Sequence, residues 1–193
     1  MTSNTTEDCY NDALAATASI ENITEDEVHR ETLRLLRDDD SRLSHLTLCG
    51  TFCGAELCTY ADSTGDYSPG SSEELGWLGL SAKKSTHLEK FGMYGRDIFK
   101  SCSKQSVDRF FEDLRKCNHF REINFVDVDL AEFIETLGPK NGNITHWNLE
   151  DCILGVPGAN YLSNAFQTMK SLKELYIHYD DDIDHGVDDD IMA

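Results

Sequence analysis

One apolar pattern recurs through most of the chain and constrains the fold more than any other feature. It is clearest from Ile144 to Leu154, where apolar residues hold the first, fourth, sixth and eleventh places and Cys152 holds the ninth. Five segments share apolar first, fourth and sixth places, and they start at residues 43, 88, 120, 144 and 172, which are 45, 32, 24 and 28 residues apart. This spacing is typical of repeats that each carry one short strand and one helix.

Apolar residues three and four apart between these segments predict the helices. A capping box of Thr24 with Glu27 predicts a helix before the first strand, and a second box, Ser71 with Glu74, predicts a helix that carries Leu75. The segment from residue 75 to 80 also fits the strand pattern, but the next strand starts only 13 residues later, so a helix is favoured. Two further helices are predicted from the apolar residues Val107, Phe110, Phe111 and Leu114, and from Leu130, Phe133, Ile134 and Leu137.

With these features the chain, over residues 24–179, resembles leucine-rich-repeat proteins of the ribonuclease-inhibitor-like class. The resemblance implies an α/β solenoid with a curved parallel sheet on the concave side and helices on the convex side. It also implies a scaffold that recognises proteins. At the ninth place the family carries Asn or Cys, whose side chain bonds loop backbone. Only Cys152 obeys this rule; Thr51 could substitute for Asn or Cys, whereas Arg96, Val128 and Asp180 do not fit.

The strand pattern also predicts a binding surface. Strands pack about 4.8 Å apart and helices about 10 Å apart, so the sheet lies on the inside of the curve. The second, third and fifth places of each segment then face solvent on the concave side. Arg121 and Tyr176 are the preferred anchors, because Arg and Tyr are enriched at interface hot spots, although a merely solvated sheet face remains an alternative. The predicted partner-binding residues are His45, Lys90, Arg121, Glu122, Asn124, His146, Asn148, Lys173, Glu174 and Tyr176.

The composition divides the chain into three parts. Residues 1–22 are predicted to be a flexible polar arm, residues 23–179 the repeat domain with an insertion near 52–70, and residues 180–193 an acidic tail. The tail has Asp at alternate places from Asp180, as calcium loops do. It departs from an EF-hand because His185 is sixth and Ile191 twelfth, where Gly and Glu are needed.

The net charge of −19 limits the classes of molecule that the chain is expected to bind. Such a field repels phosphate backbones and anionic membranes and attracts basic protein surfaces. No run of 18 apolar residues and no secretory signal is present, and seven cysteines, an odd number, indicate reduced thiols. We therefore expect a cytoplasmic protein that binds a protein or peptide, with basic partners favoured, and that binds neither nucleic acid nor membrane.

A metal-binding protein is the alternative function. Cys49, Cys53 and Cys58, with His45 nearby, could supply zinc ligands, and the acidic tail could bind cations. The cysteine spacing lacks the two-residue gaps typical of zinc sites, so no metal ligands are assigned. No nucleophile elbow, phosphate loop or zinc-protease motif occurs, and the sequence predicts no catalytic residues, no cofactor and no enzyme.

Overall fold

The computed structural model describes residues 19–50, 64–131, 134 and 143–179. These residues form four helices and six strands, preceded by a 3-10 turn at Ile20–Asn22. The helices are α1 Glu27–Arg37, α2 Ser72–Ala82, α3 Lys104–Leu114 and α4 Gly155–Thr168. The strands are β1 His45–Cys49, β2 Asp66–Tyr67, β3 Lys90–Tyr94, β4 Glu122–Val126, β5 His146–Glu150 and β6 Glu174–His178.

The six strands form one sheet in the order β2-β1-β3-β4-β5-β6, and every neighbouring pair is parallel. The five predicted strands are all present, and Phe125 pairs with Leu149 between β4 and β5. The predicted helix at Leu75 is confirmed as α2, which excludes the competing strand interpretation. The α/β architecture with a parallel sheet is therefore confirmed.

Strand β2 is a sixth strand that the repeat pattern does not contain. It comes from the end of the predicted insertion and pairs with β1 at the edge of the sheet. The Gly65 amide donates to the Thr32 hydroxyl (3.1 Å), and the Ser68 amide donates to Nε2 of His29 (3.1 Å). The His29 and Tyr67 rings stack with centroids 4.0 Å apart. Helix α1 therefore holds β2 in place.

The core lies on one side of the sheet and is rich in aromatic rings. Phe125 is fully buried and meets Phe91 and Trp147 edge to face, with ring centroids 6.0 and 6.5 Å apart. The first, fourth and sixth places of the first four segments are all buried, as the repeat pattern predicts. They are Leu43, Leu46, Leu48, Leu88, Phe91, Met93, Phe120, Ile123, Phe125, Ile144, Trp147 and Leu149.

The last segment departs from this prediction. Leu172 is only half-buried, and Leu175 and Ile177 are 42% and 58% exposed. The expectation that all the signature places face a closed core is wrong for β6. The physical reason is that β6 is the last strand of the sheet, and no described helix lies beyond it to cover its apolar side.

Side-chain caps fix where three helices begin, with Asp26 before α1, Ser71 before α2 and Ser103 before α3. The Ser71 hydroxyl accepts from the Glu74 amide (3.1 Å), which confirms that capping residue. The predicted cap at Thr24 is wrong, because Asp26 caps α1 by accepting from the His29 amide (2.9 Å). Both residue types cap helices well, so the sequence alone did not separate two starts that differ by two residues.

The turns after the strands share a backbone conformation that the sequence analysis missed. Gly95, Asp127 and Asp151 occupy the eighth place of their segments, and all have positive φ, at 94°, 52° and 51°. At the ninth place the Cys152 thiol donates to the carbonyls of Phe125 (3.4 Å) and Glu150 (3.3 Å). The ninth-place rule is thus confirmed at Cys152.

Several predictions fall partly or wholly outside the described residues. These are residues 1–18 of the arm, residues 52–63 of the insertion, Phe133, Leu137 and the acidic tail. Ile20, which the domain division places in the arm, is buried. Leu130 and Ile134 are buried as the predicted helix stripe requires. Among the described helices, none has the length and apolar character needed to cross a bilayer.

Candidate binding face

The side of the sheet opposite the core carries three rows of side chains, which we call the polar face. The rows follow from the parallel register, because residues paired across the strands point to the same side. The first row is His45, Lys90, Glu122, His146 and Glu174; the middle row is Thr47, Gly92, Asn124, Asn148 and Tyr176; the third row is Cys49, Tyr94, Val126, Glu150 and His178.

The first row holds one ion pair and one contact between a histidine and a carboxylate. Lys90 Nζ lies 2.7 Å from Glu122 Oε2, and His146 Nε2 lies 3.8 Å from Glu174 Oε1. His146 Nδ1 also shares a hydrogen bond of 2.8 Å with the Thr145 hydroxyl. Solvated ion pairs of this kind are weak, so a partner can exchange them for its own charges at little cost.

The middle row is joined by amide hydrogen bonds. Asn124 Nδ2 donates to the Tyr94 hydroxyl, and Asn148 Nδ2 donates to Asn124 Oδ1 (2.6 Å). The Tyr94 ring lies across Gly92, where an added Cβ would stand 3.2 Å from Tyr94 Cε2. Asn148 Oδ1 is buried and accepts no hydrogen bond from any part of the chain that the structure describes. The network therefore ends on an unused acceptor.

The two predicted anchors, Arg121 and Tyr176, are both exposed. Arg121 is exposed just before β4, and its guanidinium forms no hydrogen bond or ion pair with the described residues. Its carbonyl accepts from the Thr145 amide (2.8 Å), which fixes its backbone. Tyr176 is 53% exposed, and its ring stacks on His178 at a centroid distance of 6.0 Å and an interplanar angle of 3°.

The strand register places eight of the ten predicted residues in the rows of the polar face. His45, Lys90, Glu122, His146 and Glu174 line the first row, and Asn124, Asn148 and Tyr176 lie in the middle row. Arg121 and Lys173 are exposed where β4 and β6 begin. Sequence reasoning placed Tyr94 only at the rim of this face and left out Glu150 and His178, which the same alternation of side chains indicates two residues further along each strand.

The described cysteines are poor candidates for metal ligands. Burial, and then the nearby Asp66, raises the pKa of Cys49 to about 11, so the thiolate that binds metals is disfavoured. Burial likewise raises the pKa of Cys152 to about 11. Cys53 and Cys58 lie outside the described residues. Within the described ranges, no three His, Cys, Asp or Glu side chains gather where they could hold a metal ion.

The repeated parallel strands, with helices α2, α3 and α4 in the connections that lead to β3, β4 and β6, define a leucine-rich-repeat-like fold. Comparison with solved structures agrees. The chain is similar to "Leiomodin-1 Actin-Binding Site 2 (ABS2)", with a TM-score of 0.53, 11% identity, and coverage of 80% of this chain and 82% of that one. It is also similar to the tropomodulin C-terminal domain of Caenorhabditis elegans, with a TM-score of 0.50, 17% identity, and coverage of 79% and 83%. No family model and no curated protein matches the sequence. At these identities the likeness shows the fold.

Proposed function

We propose that this chain is a noncatalytic recognition module that binds a protein or peptide on its polar face. The observation that carries the proposal is the unused acceptor, Asn148 Oδ1, which lies in register with the exposed Tyr176. A buried acceptor without a donor costs about 1–3 kcal/mol. Because Oδ1 is buried, a partner reaches it only by displacing a neighbouring side chain, and an N–H or O–H group placed there removes that cost and gains a hydrogen bond.

The chemistry around this acceptor suits an interface. Tyr176 offers an exposed ring, and Arg121 offers a guanidinium whose fork of donors fits carboxylates. Both residue types recur at interface hot spots. The first row adds charges of both signs, and the net charge of −19 draws in partners with a basic surface.

The comparisons suggest a first partner to test. The leiomodin-1 domain is described as an actin-binding site, so actin is the first candidate partner here. Full helices after the strands support placement in the ribonuclease-inhibitor-like class. The odd number of cysteines supports a cytoplasmic location.

The test is a binding titration with purified actin, monomeric and filamentous, by anisotropy of the labelled full chain and by co-sedimentation. We expect Arg121→Ala and Tyr176→Ala each to weaken binding about tenfold or more, since hot-spot truncations cost above about 1.4 kcal/mol. Arg37→Ala is the matched control, because Arg37 is an exposed arginine on helix α1, and it should leave affinity unchanged.

Different failures reject different parts of the proposal. If neither form of actin binds, actin is rejected, and crosslinking with mass spectrometry then identifies the partner. If the partner's crosslinks map to the helices, or if Arg37→Ala weakens binding as much as Arg121→Ala, the polar face is rejected.

A further inference from the structure

Strand β6 lies at one edge of the described sheet and pairs there with β5 alone. The Glu174 amide donates to the carbonyl of the residue just before β5 (3.1 Å), and the His178 carbonyl accepts from the amide just after β5 (2.9 Å). Backbone groups alternate in direction along a strand, so the N–H and C=O groups of Leu175 and Ile177 point away from β5. This edge can therefore pair with another strand.

Exposed apolar side chains are concentrated in the same repeat. Leu175 and Ile177 lie in register with the buried Trp147 and Leu149, yet they are themselves exposed. Within the described ranges, every exposed large apolar residue comes after β5 in the sequence. They are Ile153, Val156, Leu175, Tyr176, Ile177 and Tyr179. Concentrated exposed apolar surface marks an interaction site.

The backbone pattern of β6 is complementary to a second β6 that runs in the opposite direction. In antiparallel strands, opposed residues that exchange two hydrogen bonds alternate with opposed residues that exchange none. A two-fold axis at Tyr176 places Leu175 opposite Ile177 of the second copy, and both residues have outward backbone groups. Symmetry repeats this pair on the other side of the axis. Tyr176 then faces its own counterpart as the pair that exchanges no hydrogen bond.

The side chains agree with this register. On the core side, Leu175 and Ile177 of each copy cover Ile177 and Leu175 of the other. On the polar face, Glu174 lies opposite His178 of the second copy, so a carboxylate meets an imidazole N–H that can donate to it. This axis pairs all five residues of the strand. An axis at Leu175 or at Ile177 leaves part of the strand unpaired.

We propose that β6 is a self-association edge through which two copies of this chain form a symmetric dimer with one continuous sheet. The interface is isologous, because each copy contributes the same strand. The dimer places two polar faces side by side, with Tyr176 of each copy at the axis. Five residues from each copy form a small interface, and the net charge of −19 on each copy opposes association. The dimer is therefore weak and reversible.

Sedimentation equilibrium of the full chain tests the proposal, from about 5 to 500 µM and near 0.3 M salt, where the screening length is about 6 Å. The mass should rise with concentration from that of one chain, 21.7 kDa, towards that of two. Leu175→Glu and Ile177→Lys each place a charge opposite an apolar residue and should raise the dimer Kd about tenfold or more. Ser44→Lys, exposed before β1 at the far side of the sheet, is the matched control and should leave the Kd unchanged. Circular dichroism checks that each variant is folded.

Mixing the two variants tests the register itself. In a mixed dimer the introduced carboxylate at 175 faces the introduced ammonium at 177, and the second pair remains Leu175 with Ile177. The mixture should therefore dimerise at concentrations where each variant alone is a monomer.

A cysteine at the axis gives a second test of the register. Opposed residues that exchange no hydrogen bond have Cα atoms about 4.5 Å apart, within reach of a disulfide. Tyr176→Cys should form a dimer linked at residue 176 on mild oxidation, as peptide mass spectrometry would show. Asn164→Cys, exposed on α4, is the control and should not link two copies through residue 164.

Three results would overturn the proposal. A constant monomer mass over the whole concentration range would show that β6 does not pair with a second copy. A dimer that persists in both Leu175→Glu and Ile177→Lys would place the contact on another surface. A mixture that stays monomeric while the unmodified chain dimerises would exclude the antiparallel register. Arg121→Ala, which tests the polar face, should leave the dimer intact, so this proposal and the proposed function fail separately.

Discussion

The amide network of the polar face predicts that its two asparagines contribute unequally to stability. Asn124 both donates to Tyr94 and accepts from Asn148, whereas Asn148 makes one bond and leaves Oδ1 buried without a donor. We therefore compare Asn124→Ala with Asn148→Ala. Both changes remove the same side-chain atoms from neighbouring strands of one sheet.

The magnitudes follow from counting these groups. Each hydrogen bond contributes about 1 kcal/mol, so Asn124→Ala should destabilise the fold by about 2 kcal/mol. Asn148→Ala loses one bond of about 1 kcal/mol and also removes a buried acceptor that costs about 1–3 kcal/mol. Its net effect should lie near zero or be slightly stabilising. A gap of about 2 kcal/mol corresponds to about 4–8 °C in Tm for a chain of this size.

Urea unfolding followed by tryptophan fluorescence measures the gap, since Trp147 is buried in β5 beside the network. Asn164→Ala, on the exposed surface of α4, is the control and should change stability by less than about 0.5 kcal/mol. If Asn148→Ala destabilises the protein as much as Asn124→Ala does, Oδ1 has a partner and the reasoning fails. The proposed binding site would then lose its main support.

Two further predictions concern α1 and the turns. Burial lowers the pKa of His29 below its ordinary 6.5, although the charges of Asp26 and then Glu74 oppose this shift. As the pH falls, the unfolded chain therefore protonates His29 before the folded chain does. The stability that neutral His29 contributes to the fold is complete above about pH 6.5 and is lost as the pH falls below it. Tm should drop more between pH 7.5 and 5.5 in the native chain than in His29→Gln, and equal drops would contradict this. Asp151 has φ 51°, a conformation that glycine adopts more easily than alanine. Asp151→Ala should therefore be less stable in urea unfolding than Asp151→Gly by about 1–2 kcal/mol. Equal unfolding midpoints for the two variants would show that the backbone at residue 151 is not strained.

The strands were predictable because their signal is periodic and local. Each strand needs apolar residues at three fixed places, and the core at Phe125 and Leu149 followed from that rule alone. Strand β2 was not predictable, because a two-residue segment has no period and depends on contacts with α1 more than 30 residues away in sequence.

The sequence predicts which residues lie on the polar face, but it does not predict which hydrogen bonds they form. Alternation along a strand assigns Asn124 and Asn148 to one side. That Tyr94 bonds Asn124 depends on the register between β3 and β4 and on the room that Gly92 leaves for the ring. Such contacts join residues from different repeats, and single-sequence patterns carry no register between them.

The two ends of the sheet differ, and the difference limits how the molecule can assemble. At the β2 end, Pro69 follows the strand closely and lacks an amide hydrogen, and the neighbouring Ser68 amide is already committed to His29. This end therefore offers a poor template for another chain's strand. Head-to-tail fibres need both ends to be adhesive, so blocking one end by its own chain is enough to stop filament growth by strand addition.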